Sequence, residues 1–415
     1  MKPLFNRLIL TCLLGVGARV AFGQEASLVA HAAQQVGAYR ITLRLPVDGL
    51  VAGEEQQIEL RIVDTSADDP VLGPAPVIRA LVQSSIAMPA MPAMPKAEEV
   101  AHPEGVPGDY GLHPTFAHGG EYVLTLFVTP LQGAAFSVAF PLTVLDELPQ
   151  RKSRGKPFKL ELATQPDKVK AGTPTDLRLR VWGERELRDA AGRPNGKRQW
   201  EQLKAFETMH ERLLHLIIVR RDLNFFAHTH PVWQSDGSFL LAGFVFPTAG
   251  EYQLFADTAP KGMGTQVLLA TLKVSGSAPI AAVPLAAAER ATERDVAGVR
   301  LSIAENTEVT SKKTAAFIVT FHNTDNGVSL DDLETYLGAF GHLLMIHADA
   351  QTFVHAHPDE REPQNGRQGR LIFLARPPKA GLYRAWIEFQ RGGVVQRADF
   401  VIEAREAKGA ERAQY

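Results

Sequence analysis

Gly120-Glu121-Tyr122 leads directly into Val123-Leu124-Thr125-Leu126-Phe127-Val128. The pattern returns twice. Gly250-Glu251-Tyr252 precedes Gln253-Leu254-Phe255-Ala256-Asp257, and Gly381-Leu382-Tyr383 precedes Arg384-Ala385-Trp386-Ile387-Glu388-Phe389. The tyrosines fall about 130 residues apart, so the chain reads as three related units in series.

Short alternating runs fill the space between these landmarks. Gln57-Ile58-Glu59-Leu60-Arg61-Ile62-Val63, Asp176-Leu177-Arg178-Leu179-Arg180-Val181 and Ala315-Ala316-Phe317-Ile318-Val319-Thr320 alternate with period two between Gly, Pro and Asp. Such runs predict antiparallel strands. A Gly-x-Tyr entering a late strand is the pattern of the tyrosine corner in immunoglobulin-like sandwiches. The expected fold is all-β: three tandem immunoglobulin-like antiparallel β-sandwich domains after a signal peptide. Their expected bounds are 24–147, 158–274 and 297–405, with an Ala/Pro-rich linker over 275–296. Leu148 to Pro157 is basic and polar and reads as a solvated linker. Helix is scarce, with one or two turns expected between Arg198 and His210.

Residues 1–23 read as a cleavable secretory signal. Lys2 and Arg7 precede the apolar run Leu8–Val16, and Ala21-Phe22-Gly23 supplies small residues for cleavage. No other stretch has the length and apolarity of a membrane span. The expected location is periplasmic or secreted. A net charge of −2 gives no reason to expect nucleic acid or an anionic membrane as partner. Cys12, the only cysteine, lies inside the signal. The mature chain therefore has no thiol for disulfides, zinc-thiolate sites, blue copper or nucleophilic catalysis. No serine elbow, phosphate loop or dinucleotide fingerprint is present either.

Eight of the thirteen histidines lie in or beside two matching segments, HLIIVRRDLNFFAHTHP from His215 and HLLMIHADAQTFVHAHP from His342. Both read H-x12-H-x-H-P, giving His215, His228 and His230 in one unit and His342, His355 and His357 in the next. Imidazole is the commonest metal ligand among side chains. A two-residue turn at Arg221-Asp222 would oppose His215 to His228, and one at Ala348-Asp349 would oppose His342 to His355. Three imidazoles then share one sheet face in each unit. The alternative is a structural hairpin duplicated with its histidines. His210 precedes the first strand as a candidate fourth ligand. His347 has the wrong parity and should face the other way. His210-Glu211-x3-His215 is not the zinc-protease helix motif, which needs histidines four apart.

The first unit has no such hairpin. It carries Met88-Pro89-Ala90-Met91-Pro92-Ala93-Met94-Pro95, which in polyproline II would align Met88, Met91 and Met94 on one edge. Thioethers select Cu(I). The competing expectation is that the methionines pack onto the sandwich end.

With its MPAMPAMP tract and GEYVLTLFV strand, the first unit resembles the YtkA-like/FixH-like secreted β-sandwich domains. The histidine segments, together with FPTAGEYQLFADTAPKG, resemble exported bacterial proteins linked to heavy-metal, particularly copper, handling. The resemblance implies a sandwich fold and an exported, metal-handling protein. It points to the six triad histidines as the positions to test. On this reading the chain is a non-enzymatic copper chaperone or buffer, with zinc the other candidate ion. Its partners would be the ion and a membrane-bound transport or oxidase-assembly protein. Two alternatives stand beside it. One is a three-histidine metalloenzyme, with Asp257 the carboxylate able to approach. The other is a metal-free interaction module built as a rod of three sandwiches.

Overall fold

A computed structural model of the chain describes residues 28–147, 158–277, 285 and 291–406, apart from 54, 70–72, 189–193, 306–307 and 359–367. The signal segment and the basic linker lie outside the described residues. Throughout the rest the regular structure is β, in three successive pairs of sheets. The chain is thus all-β, a tandem series of sandwiches.

Each unit buries one core between its two sheets. Leu60, Tyr110, Leu124 and Phe140 lie in the first core, Leu179, Phe239 and Tyr252 in the second, and Phe317, Phe373 and Phe400 in the third. The Gly-x-Tyr landmarks are tyrosine corners. The hydroxyls of Tyr122, Tyr252 and Tyr383 donate to the carbonyls of His118, Thr248 and Lys379, each four residues upstream, at 3.0, 2.8 and 2.6 Å. The glycine two residues before each tyrosine has φ of 140°, 147° and 132°, a conformation that L side chains rarely adopt.

Three strands in each unit matter for the site. The corner strand follows the tyrosine: Gly120–Thr129, Gly250–Pro260 and Gly381–Arg391. The entry strand pairs with it: Leu81–Ala87, Leu214–Arg220 and His342–His347. The return strand completes a hairpin with the entry strand: Ala97–Val100, Phe226–Thr229 and Phe353–Ala356.

Several expectations need correction. Arg198 to His210 is not helical; strand Pro194–Gln202 and the short strand Phe206–Glu207 occupy it. The antiparallel sandwiches of the expected fold are present, each with one short parallel pairing at an edge. Leu50–Val51 runs parallel to the last strand of its unit, and Lys170 with Ser275 and Thr310 with Arg405 form parallel bridges at the matching places. The methionine tract is not polyproline II. The amides of Met91 and Met94 donate to the carbonyls of Met88 and Met91, making consecutive turns. Met88 and Met94 pack on the first core while Met91 is exposed, so the three do not share an edge. The tract forms the turn of the first-unit hairpin, at the end opposite the positions that hold histidines in the other units.

The rod is also wrong. The second and third units pack face to face through an apolar layer of Ile217, Val219, Phe226 and Phe255 against Leu344, Ile346, Phe353 and Trp386. Phe226 stacks on Trp386 at 4.4 Å and Phe255 on Phe353 at 5.2 Å. Phe226 and Phe353 hold equivalent places, as do Phe255 and Trp386, so the two stacks are related by a local twofold. The first unit touches both partners. Glu55 pairs with Arg376 at 2.9 Å, Arg61 approaches Glu207 at 3.4 Å, and Val106 packs with Met209 and Ala259.

Candidate metal centre

Strand periodicity places the histidines. The observed register pairs Val219 with Phe226 and Ile217 with His228. In the third unit Ile346 pairs with Phe353 and Leu344 with His355. Both hairpins therefore turn through four residues rather than two, with Leu223 and Ala350 in the left-handed region at φ 58° and 53°. His230 and His357, not His228 and His355, fall opposite His215 and His342. A shift of two residues preserves side-chain parity. The expected convergence survives the error: His215, His228 and His230 form one group and His342, His355 and His357 another, each with ligand atoms within 4.8 Å of one another.

The hydrogen bonds fix which nitrogens face inward. His215 Nε2 lies 2.9 Å from the Met209 carbonyl, and His342 Nε2 lies 2.9 Å from the Tyr336 carbonyl. A carbonyl only accepts, so each Nε2 donates and each Nδ1 keeps its lone pair. His215 Nδ1 then faces His228 Nε2 and His230 Nε2, both at 3.2 Å. His342 Nδ1 faces His355 Nε2 at 3.4 Å. Nitrogens bound at 2.0–2.1 Å to a tetrahedral ion sit about 3.3 Å apart.

The carboxylates that orient the rings come from across the interface. His228 Nδ1 donates to Glu388 at 2.7 Å, and His355 Nδ1 donates to Asp257 at 3.0 Å. Within its own unit Asp257 is the ladder partner of His215, and Glu388 that of His342. Each acid thus lies beside its own unit's triad and orients a ligand of the other. Alternation explains the exchange. Phe226 and His228 share a face of one return strand, Trp386 and Glu388 share a face of the facing corner strand, and the aromatic stack sets the polar pair beside it. Rings of the two triads approach closely, with His228 and His342 centroids 6.0 Å apart and those of His215 and His355 5.7 Å apart.

Burial favours the neutral form of His215, His230, His342, His355 and His357. It pushes His215, His355 and His357 well below the ordinary histidine range, and neighbouring imidazoles push the same way. Burial likewise brings His230 and His342 down to about 3. A neutral ring is the ligating form. The buried groups fit a borderline divalent ion: three ring nitrogens converge in each triad. Among the described residues, no fourth His, Cys, Asp or Glu joins either group.

His210 does not join the second-unit triad as a fourth ligand. It stacks on His357 of the third unit at 3.5 Å, and its Nε2 is buried without a hydrogen-bond partner among the described residues. Burial lowers it to about 3. His347 faces away as its parity requires, with Nε2 3.1 Å from the Ala380 carbonyl. Sequence reasoning missed Glu388 altogether and treated Asp257 as a carboxylate within its own unit. His102 and His113 follow the methionine tract in the sequence, but their place at the junction was not foreseen: they stack at 4.9 Å, and His102 Nε2 lies 3.2 Å from Glu104. Burial raises the Glu104 carboxyl, but the His102 hydrogen bond and the nearby His113 and His210 prevail and hold it below its ordinary value.

Residues 159–276 and 293–406 match the family described as Domain of unknown function (DUF8832). No curated protein matches the chain. Among solved structures it is similar to a 1.5-MDa bacterial ice-binding adhesin at 8% identity, covering 85% of this chain and 91% of that one, TM-score 0.19. It is also similar to invasin, a bacterial integrin-binding protein, at 14% identity, 88% and 60% coverage and TM-score 0.16. A third similarity is to the native conformation of E. coli alpha-2-macroglobulin, at 11% identity, 91% and 23% coverage and TM-score 0.20.

Proposed function

The chain belongs to the family described as Domain of unknown function (DUF8832), and from that premise we propose that it is an exported metal-binding protein whose two facing triads each hold one ion. One observation carries the reading. In each triad the outer ring nitrogens of two histidines are tied to a carbonyl and a carboxylate, which leaves their inner lone pairs facing each other at 3.2–3.4 Å. Such outer partners fix ring orientation and raise ligand basicity. Imidazole suits Cu(II) and Zn(II) alike. Copper is the ion proposed, because the histidine segments resemble exported copper-handling proteins. Buffering or delivery is the role proposed. The Cu(I) part of that reading loses support, since two of the three tract methionines are packed on the core.

A three-nitrogen site leaves a coordination position open. That favours a second reading in which a bound ion activates water.

The test is calorimetric titration of the metal-depleted chain with Cu(II) and with Zn(II). Two equivalents are expected per chain. His228→Ala should abolish the second-unit equivalent and leave the third-unit one, whose carboxylate partner Asp257 is untouched. Binding of neither ion at neutral pH, or identical binding by His228→Ala, would make the triads structural. Hydrolytic turnover by the loaded chain, lost in His228→Ala, would favour the second reading.

A further inference from the structure

We infer that the junction between the first unit and the paired units is the entry route of a divalent ion, which passes the side chains of His102, Glu104 and His210 to reach the third-unit triad. The inference rests on the metal-binding reading above and adds to it a role for the first unit.

Geometry supplies the route. A cavity of about 110 Å³ lies between the first-unit segment His102–Gly105 and the rings of His210, His355 and His357. A wider cavity of about 440 Å³ shares these residues and extends past Glu99, His113 and Asp257. His215 and His342 have no exposed surface, so an ion cannot meet them directly from solvent. The cavity reaches the third-unit triad at His355 and His357, where ligand side chains line its wall.

The lining is suited to a cation. His210 Nε2 and His357 Nε2 are both buried and lack hydrogen-bond partners among the described residues. A buried polar atom left unpaired is destabilising, so His210 asks for a ligand at this cavity, while His357 already belongs to the third-unit triad. Glu104 brings a negative charge beside His102. Carboxylates in a low-dielectric cleft concentrate cations, and here Glu99, Glu104 and Asp257 line the wider cavity together with Arg376. Gly105 permits the approach of the first unit, for a Cβ there would lie 2.6 Å from His210 Nε2.

His210 is also the place where the local twofold fails. His210 and Leu337 occupy the same turn, each with positive φ, 45° and 53°. The turns match further: Met209 bridges Arg212 as Tyr336 bridges Ala339, and Met209 and Tyr336 supply the carbonyls for the strand histidines. Leucine satisfies that turn, so the fold does not require the imidazole. The extra histidine stands on the side that faces the first unit.

A mixed imidazole and carboxylate set at an open cavity should hold an ion less firmly than a closed triad and release it inward. Stopped-flow loading of the metal-depleted full chain with Co(II), followed by visible absorption, tests this. His230→Ala disables the second-unit triad so that one phase reports the third. In that background His102→Gln and Glu104→Gln, singly and together, should slow loading by about tenfold, the low end of electrostatic focusing, with final affinity unchanged. Equal thermal melts establish that the variants are folded. Unchanged loading rates overturn the inference and leave the triads standing. A fall in final affinity also overturns it, making the junction part of the holding site. Failure of the parent chain to bind Co(II), Cu(II) and Zn(II) alike removes the metal reading and this inference together.

Discussion

The entry strands of the first and second units hold the same place, yet they are buried differently. Leu81–Ala87 alternates, with Val82, Ser84 and Ile86 inside and Leu81 and Gln83 exposed. Leu214–Val219 is buried on both faces, as is His342–His347. One face of each meets its own core and the other meets the neighbouring unit. The ladder makes the comparison residue by residue. Gln83 pairs with Phe127 where His215 pairs with Asp257 and His342 with Glu388. Phe127 is 47% exposed, whereas Asp257 and Glu388 are both 5%. The same frame therefore carries an open face in one unit and a closed, polar-centred interface in two. The candidate metal centre belongs to the pairing of units rather than to the sandwich.

Acid should separate the two cases most strongly. Of the seven histidines pushed down by burial, six lie in the paired units and only His113 in the first. Their folded pKa lies below the unfolded value of about 6.5. Above that pH both states are neutral and nothing changes. As pH falls below it the unfolded chain takes up protons that the folded chain refuses, so stability is lost from about 6.5 downward. Each strongly shifted histidine contributes about 1.4 kcal/mol per pH unit over that window. Thermal melts of the metal-depleted chain between pH 7 and 5 should show the paired units failing well before the first. A single transition with no pH dependence would contradict the closed-face comparison.

Packing comes next in size. Trp386→Ala removes one half of an interface stack and should cost about 3–5 kcal/mol. It should also weaken ion binding at both triads, because both carboxylate pairs depend on the interface. Thr125 is the matching residue of the first-unit corner strand, and Thr125→Ala should stay within about 0.5 kcal/mol. Denaturant unfolding and metal retention measured together check both variants. Equal losses would mean that the aromatic layer does not hold the units together.

Much of this was legible in the sequence. The three tyrosine corners follow from Gly-x-Tyr, and the triads follow from H-x12-H-x-H-P because period-two parity tolerates a slip of two residues. The hairpin register was not legible, since a left-handed Leu223 or Ala350 leaves no glycine to announce a four-residue turn. The interface had a signal that alternation obscured: LIIV and LLMI are unbroken apolar runs, the mark of a strand covered on both faces. The exchanged acids had none. Asp257 and Glu388 pair in the ladder with their own histidines, and only the docking of two units sends their carboxylates to His355 and His228.

That exchange gives the finest test of the comparison. Glu388→Gln keeps an oxygen that accepts from His228 Nδ1–H and removes only the charge. Outer-shell partners of metal-bound histidines are typically worth about 10–100-fold in affinity. The loss should fall on the second-unit triad, although Glu388 belongs to the third unit. Asp257→Asn should weaken the third-unit triad and spare the second. Chains with one triad disabled, by His230→Ala or His357→Ala, report each site separately in competition titrations. In the first unit Phe127→Asn occupies the equivalent place without a triad beside it and should change neither affinity. If Glu388→Gln weakens the third-unit triad instead, each acid serves its own unit, and the two sites are neighbours rather than halves of one centre.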